Sequence, residues 1–283
     1  MSSGINSVRD HYQGTAEQGG HIDRVKEMLA KFGEGTISSE QLAGLDQFHS
    51  GGLKTTADFI RLLNVRPGMT VLDAGSGLGG PSRYVAENFG CQVTGVDLTE
   101  SFVEIAGLLA GRTRLGERVT YKVGDLCSLP FEAKQFDVAY TQHVVMNIPD
   151  RRSAYSEINR VLKPEGEFGF FDVLATDAKP TPHYPVPWAE AENQSFLLTE
   201  PETRTVLQAT GFVVQSWADV TEEVIEWFET VRLPSMEKEN VSPTLKLVMG
   251  NRFGQMAENF ARNLKEGKLR LVMGVCTKTN NDA

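Results

Sequence analysis

The 283-residue sequence predicts an α/β fold built on a doubly wound, mainly parallel sheet. Three observations predict it: short apolar runs alternate with helical patterns, several runs lack the alternation of half-exposed strands, and a glycine-rich turn joins one run to a helix. The predicted strands are Thr70–Ala74, Gln92–Asp97, Thr120–Gly124, Phe136–Thr141, Glu167–Val173, Phe212–Asp219 and Leu269–Thr277.

Several predicted helices have recognisable ends. Thr99 stands where it can cap the helix after the second strand. Thr199 and Glu202 have the spacing of a capping box, and Gly211 stands where a C-terminal cap glycine belongs. These signals place a helix between each pair of consecutive strands in the first part of the sheet, as a doubly wound fold requires.

A helical cap at residues 1–50 and an inserted lid at about residues 175–198 accompany the main domain, which is predicted over residues 51–283. Residues 177–195 contain four prolines and no periodicity, which is typical of a long loop that covers a site. The cap is predicted from one apolar helical face that docks on the core. That face consists of Ile22, Val25, Met28, Leu29 and Phe32.

Charge and cysteine content exclude several partner classes. The net charge of -9 disfavours nucleic acid. Cys91, Cys127 and Cys276 lie far apart and form neither a disulfide framework nor a zinc-ligand pattern, so no metal is predicted. No stretch approaches about 18 continuous apolar residues, and we expect a soluble, cytoplasmic protein with no membrane partner. The N-terminal helices and residues 235–266 offer apolar faces that can pair two copies as a homodimer.

The glycine-rich turn after the first strand points to a ligand with a nucleoside. Gly75, Gly77 and Gly80 match the GxGxxG pattern of nicotinamide-dependent oxidoreductases. Asp73, however, stands at the mouth of the turn, where its carboxylate would repel a pyrophosphate and attract an ammonium group. An amino-acid ammonium joined to a nucleoside fits S-adenosyl-L-methionine better than NAD.

Two further acids end the next two strands. Asp97 follows Gly75 by 22 positions and can accept hydrogen bonds from two ribose hydroxyls. Asp125 follows the third strand and can accept a hydrogen bond from the adenine amino group. Either acid alone can be a plain helix cap. All three acids at the carboxyl ends of successive strands indicate a cofactor site, because open α/β sheets bind ligands there.

These motifs, in their order and spacing, resemble those of the class I S-adenosylmethionine-dependent methyltransferases. The resemblance implies a Rossmann-like sheet of seven strands with the last one antiparallel, S-adenosyl-L-methionine as cofactor, and an enzyme that methylates a small molecule. The segments that carry it are VLDAGSGLGG (71–80), VTGVDL (93–98), VGDLCSLPF (123–131), FDVAYTQHVVMNI (136–148) and INRVLKPEGEF (158–168).

The resemblance also implies which residues bind the cofactor. The glycines lie against its methionine part, Asp97 binds the ribose, Asp125 with Leu126 meets the adenine, and Gln142 falls beside the methionyl backbone or sulfonium. The implied cofactor-binding residues are Asp73, Gly75, Gly77, Gly79, Asp97, Leu98, Asp125, Leu126 and Gln142.

Candidate catalytic residues stand at the ends of the fourth and fifth strands: His143 follows the fourth, and Asp172 ends the fifth. His143 is the first candidate for a base, since histidine titrates near neutral pH, although it can instead hold a loop or the cofactor. Asp172 can bind an ammonium or act as a base, or can anchor a loop. Residues predicted for the acceptor pocket are His49, Asn147, Trp188 and Phe196.

The acceptor is predicted to be a small molecule methylated on an amine nitrogen. Segments 46–56 and 171–174 resemble a group that includes sarcosine and dimethylglycine N-methyltransferases. Methylation of oxygen or carbon in a phenolic, quinone-like or isoprenoid compound is the alternative. Two other classes stay open at this point: a nicotinamide-dependent oxidoreductase, and a catalytically silent binding protein.

Overall fold

Seven strands form one sheet in the computed structural model, which describes residues 20–178, 180–232, 245–250 and 252–279. The spatial order is β3-β2-β1-β4-β5-β7-β6. Pairs among the first five strands are parallel, whereas β7 runs antiparallel between β5 and β6. The strands are β1 (Thr70–Ala74), β2 (Gln92–Asp97), β3 (Val119–Val123), β4 (Phe136–Gln142), β5 (Leu162–Ala175), β6 (Phe212–Asp219) and β7 (Leu269–Lys278).

This topology confirms the predicted seven-stranded, Rossmann-like α/β fold. The largest difference is β5, which begins at Leu162 rather than at Glu167 and ends at Ala175. In the pairing of β4 with β5, Leu162 pairs with Phe136, and the register then shifts before Glu167 pairs with Val138. Pro164 and Gly166 therefore lie in a bulge within β5. Asp172 therefore lies inside β5 and not at its end.

Ten α-helices cover the described parts of the sheet and its edges. Thr199 and Glu202 form the predicted capping box, and Gly211 follows its helix with the predicted positive φ, 82°. Thr99 occupies its predicted cap position, but its side chain makes no capping bond. The helices are α1 (His21–Lys31), α2 (Ser39–Asp46), α3 (Gly52–Ile60), α4 (Gly80–Phe89), α5 (Glu100–Arg112), α6 (Arg151–Val161), α7 (Glu200–Ala209), α8 (Thr221–Trp227), α9 (Lys246–Met249) and α10 (Phe253–Lys265).

The N-terminal helix docks on the core as its apolar stripe predicts. Val25, Met28 and Leu29 are buried in one cluster with Leu78 and Ile105. Residues 1–19 of the predicted cap lie outside the described residues. The boundary at residue 50 remains a prediction.

The predicted lid crosses α10 and is tied to it by two asparagines. The side chain of Asn263 accepts the amide of His183 at 2.7 Å and donates to its carbonyl at 3.0 Å. The side chain of Asn259 donates to the carbonyl of Pro185 at 2.9 Å. The lid and α10 therefore form one wall. Within the described ranges, every helix is too short or too polar to cross a bilayer.

Candidate active site

A cavity of about 760 Å³ opens at the carboxyl ends of β1, β2 and β4. The segment between α2 and α3, the lid, α8 and α10 close it from above. Ligand pockets span roughly 300–1,000 Å³, and this cavity lies in the upper half of that range. Its place at the strand ends is where open α/β sheets bind their ligands.

The glycine turn forms the floor of this cavity. Gly75 and Gly77 line it with positive φ angles of 88° and 50°, and a Cβ on Gly75 would overlap the side chain of Val144. Gly79, predicted as a cofactor contact, does not line the cavity. A Cβ there would overlap the Tyr121 ring, so packing against Tyr121 is what requires this glycine.

The turn offers little to a pyrophosphate. The amides of Gly75 and Ser76 both donate to the carbonyl of Val96, at 2.7 and 2.9 Å. The first two residues of helix α4 are Gly80 and Pro81. The carbonyl of Asp46 packs so closely on Gly80 that it leaves no space for a side chain, and Pro81 has no N–H to donate. Dinucleotide enzymes hold a pyrophosphate on free amides at this helix end, so the geometry disfavours the nicotinamide alternative.

Asp73 is a buried carboxylate that lines the cavity. Burial raises its pKa to about 7, and the hydrogen bond from the Ser82 hydroxyl, at 2.5 Å, offsets part of this effect. An ammonium group placed beside Asp73 would restore the charged form, because an opposite charge nearby favours ionisation.

Asp97 and Asp125 line the same end of the cavity, as do Leu98 and Leu126. The two oxygens of Asp97 accept the amides of Gly77, at 2.8 Å, and Thr99, at 2.9 Å. Burial raises the pKa of Asp97. Asp125 accepts the amide of Cys127 at 2.8 Å. Both acids therefore brace loop backbone, neither is the N-cap of a helix, and both keep lone pairs for a ligand.

Four cavity side chains carry buried polar atoms that find no hydrogen-bond partner among the described residues. These atoms are Oγ of Ser76, both amide atoms of Gln142, Nε2 of His143 and Oδ1 of Asn147. Buried polar atoms are normally paired, and an unpaired group costs about 1–3 kcal/mol. Their grouping in one cavity indicates a polar ligand at this place.

His143 follows β4 in a left-handed conformation with φ of 55°. Its amide donates to the carbonyl of Phe171 at 2.7 Å, and its ring packs on the Phe171 ring at 4.7 Å. Burial, together with nearby His49, holds the pKa of His143 well below its usual range. Burial therefore favours a neutral ring at neutral pH, in contrast to the prediction of a base that titrates there.

His49 lines the cavity as predicted, but its two ring nitrogens are engaged. Nδ1 lies 2.9 Å from the carbonyl of Ser50, and Nε2 lies 2.8 Å from Oγ1 of Thr56. Burial lowers the pKa of His49 to about 4. The ring holds the segment before α3 in place over the cavity.

Asp172 does not line the cavity, so the structure gives it no contact with a substrate. It accepts hydrogen bonds from the amides of Val144 and Val145, at 2.9 and 3.3 Å, and from the Thr141 hydroxyl at 3.0 Å. Burial raises its pKa to about 6. Asp172 anchors the loop that carries His143, which is the alternative that its sequence position left open.

Of the two aromatic residues predicted for the acceptor pocket, one lines the cavity and the other does not. Trp188 lines the cavity, with its Nε1–H donated to Ser195 at 2.8 Å. Phe196 does not line it; its amide binds the carbonyl of Met146, and its carbonyl accepts a bond from Arg151. The side chain of Phe196 therefore stays outside the site that the sequence predicted for it.

Much of the acceptor side was not predicted. Its residues come from α8 and its end, from α10 and from the segment before α3, which are far apart in the sequence. On α10 the spacing of Phe253, Ala257 and Phe260 marks one helical face, and this stripe could have been found in the sequence. The residues missed include Phe48, Leu53, Met146, Phe253, Ala257 and Phe260.

Comparison with known proteins finds a methyltransferase domain. Residues 72–170 match the family model described as "Methyltransferase domain". A sterol 24-C-methyltransferase of Gibberella zeae is 39% identical over 115 residues, which are 41% of this chain and 30% of that protein. Phosphoethanolamine N-methyltransferase 3 of Arabidopsis thaliana is 32% identical over 152 residues, 54% of this chain and 31% of that protein. The chain thus spans less than a third of the length of these two relatives.

A solved structure shares the fold over nearly the whole chain. Phosphoethanolamine N-methyltransferase 2 of Haemonchus contortus, in complex with phosphomonomethylethanolamine and S-adenosylhomocysteine, superposes with a TM-score of 0.70 and 20% identity. The match covers 97% of this chain and 61% of that one. At this identity the likeness shows the fold alone.

Proposed function

We propose that this chain is a class I S-adenosylmethionine-dependent methyltransferase that methylates a small molecule, and that the methylated atom is an amine nitrogen. The observation that carries the proposal is the set of unpaired polar atoms beside three strand-end acids. Gln142 and Asp73 fit the amino-acid part of S-adenosyl-L-methionine, and Asp97 and Asp125 fit its nucleoside.

The donor and the acceptor would share the enclosed cavity. When bound, S-adenosyl-L-methionine supplies a methyl group that the lone pair of the acceptor takes while the carbon–sulfur bond breaks and sulfur keeps its electron pair. The protein needs mainly to align the reactants and to exclude water. The segment before α3 and the lid provide that enclosure.

His143 would orient the acceptor rather than deprotonate it. A neutral imidazole can accept a hydrogen bond from an amine N–H at Nε2, which turns the nitrogen lone pair away from the ring. The methylated product is an ammonium ion, which the aromatic rings of the cavity can stabilise by about 0.5–2 kcal/mol per contact. No strong base is required for a neutral amine.

Methylation of a phenol is the second candidate, and the same unpaired Nε2 of His143 favours it. A hydroxyl proton can be donated to this nitrogen. Because burial lowers the pKa of His143 so far, full proton removal from a phenol would be slow. An amine acceptor avoids this difficulty.

Calorimetry and a turnover assay together test the proposal. The full chain should bind S-adenosylhomocysteine and should not bind NADH. With S-adenosyl-L-methionine present, mass spectrometry should detect a methylated product from at least one amine in a broad panel. Binding of NADH would restore the oxidoreductase alternative, and cofactor binding without any turnover over amines, phenols and prenylated compounds would favour a catalytically silent binding protein.

A further inference from the structure

Five aromatic side chains form one wall of the cavity, called here the aromatic wall. The ring of Phe260 is its centre: its centroid lies 5.1 Å from that of Trp188 and 5.6 Å from that of Phe228, both nearly perpendicular to it. Trp227 extends the wall from Phe228 at 5.0 Å. The members of the wall are Trp188, Trp227, Phe228, Phe253 and Phe260.

The aromatic wall adjoins the polar group that would meet the acceptor. The His143 ring lies 6.1 Å from the Phe260 ring, centroid to centroid, at a steep angle. A molecule that hydrogen-bonds to Nε2 of His143 is therefore next to the rings of this wall. Ala257, which also lines the cavity on α10, leaves room between Phe253 and Phe260.

The charged side chains that line the cavity are acidic. Among the described lining residues none is lysine or arginine. The buried Arg151, beyond the wall, is directed at the carbonyl of Phe196 and over the Tyr155 ring. An anionic group on the acceptor would thus be desolvated in a cavity whose described lining offers it no cation, which is costly. The lining acids are Asp46, which is paired with Arg83 at 2.6 Å, Asp150, and the three acids proposed to bind the donor, Asp73, Asp97 and Asp125.

Resting on the proposed function, we infer that the acceptor is a hydrophobic amine that bears neither a phosphate nor a carboxylate group. Its apolar body packs on the aromatic wall, its nitrogen lies near His143, and the aromatic rings favour its cationic product. This class differs from phosphoethanolamine, on which relatives of similar fold are named to act, and from sarcosine.

A matched pair of acceptors tests the inference. N-methylbenzylamine and sarcosine are both secondary N-methyl amines. The group attached to the methylene carbon is a phenyl ring in the first and a carboxylate in the second. The full chain is incubated with S-adenosyl-L-methionine and one acceptor at a time, with phosphoethanolamine as the third acceptor. The rate at which S-adenosylhomocysteine forms gives kcat/KM for each acceptor. We expect a value for N-methylbenzylamine at least tenfold above either anionic amine.

A substitution in the aromatic wall provides the second arm. Trp227→Lys places a cation in the wall at a half-buried position and should reduce the preference for N-methylbenzylamine over sarcosine at least tenfold. Thr230→Lys, at an exposed site one turn away, adds the same charge and should leave the preference unchanged. The dissociation constant of S-adenosylhomocysteine should stay within about twofold in both variants, which checks that the donor site is intact.

The outcomes separate the two proposals. A higher kcat/KM for sarcosine or phosphoethanolamine, or no turnover of the three while S-adenosylhomocysteine binds, overturns the hydrophobic-amine inference and leaves the donor site standing. Failure to bind S-adenosylhomocysteine overturns the proposed function itself. If Trp227→Lys does not fold, the wild-type ratio of the matched pair decides alone.

Discussion

The affinity for the methyl donor should fall as the pH is lowered below 7, because Asp73 must ionise to pair with the ammonium group of the ligand. Burial places the pKa of the free carboxyl at about 7. If the bound carboxylate stays ionised, the ionised fractions of free Asp73, about 0.09 at pH 6 and about 0.76 at pH 7.5, make affinity about eightfold weaker at pH 6, and partial loss of the ligand's ammonium charge at pH 7.5 reduces the difference to about sixfold. Net release should be about 0.9 proton per ligand at pH 6 and close to zero at pH 7.5, where uptake of about 0.2 proton by the ligand amine balances the release by Asp73.

Isothermal titration calorimetry with S-adenosylhomocysteine measures both quantities. Two buffers of different ionisation enthalpy at each pH give the protons released, and the range from 5.5 to 7.5 keeps the ligand ammonium largely charged, since an α-amino group titrates at about 8. His49, with a pKa of about 4, does not titrate in this range. Asp73→Asn should bind more weakly at every pH and should show a flat profile.

Two outcomes would refute this reasoning. The first is an equally steep profile in Asp73→Asn, which would assign the proton to another group. Asp97→Asn is then the matched control, because burial also raises the pKa of Asp97. The second is a flat profile in the wild-type protein. The sign for stability is opposite: since the folded pKa of Asp73 exceeds the unfolded value, ligand-free stability should fall as pH rises from about 4 to about 7.

Three further variants test other parts of the site. Arg83→Met removes the partner that lies 2.6 Å from the buried Asp46 and should reduce the free energy of unfolding by about 3–5 kcal/mol in urea denaturation. The double variant Asp46→Leu with Arg83→Met should recover most of this loss, because no buried charge is then left unpaired. An equal loss in the single and the double variant would contradict this. Gly77→Val should abolish S-adenosylhomocysteine binding in calorimetry with little change in fold by circular dichroism, since residue 77 faces the cavity with positive φ. His143→Ala should keep donor affinity and lower kcat for the amine at least tenfold without moving its pH profile; a lost acidic limb in that profile would show a titrating base instead.

The sequence predicted the residues that gather at the strand ends well because its signals there are local. The glycine turn and the acids Asp97 and Asp125 each stand at the end of a strand that apolar runs define, and parallel strands bring those ends together. Strands β1, β2 and β6 have the predicted bounds. A short-range pattern therefore predicted both the fold and this end of the cavity.

The acceptor half could not be predicted in the same way because it exists only in the folded chain. Phe48, Trp227 and Phe260 meet around one space although some 180 residues separate the first two. Burial also changed what single residues can do. His143 lost its neutral-range pKa, and Asp172 became a loop anchor once β5 extended past it.

The antiparallel insertion of β7 has a consequence for synthesis on the ribosome. All three acids of the donor site and Gln142 precede residue 150, whereas α10 and β7 are among the last elements to emerge. Until β7 arrives, the outer side of β5 and the whole of β6 lack their neighbour in the sheet. A nascent chain therefore completes the strand-end acids and Gln142 before α10 can add its wall to the cavity, and its open strand edges are then exposed to aggregation.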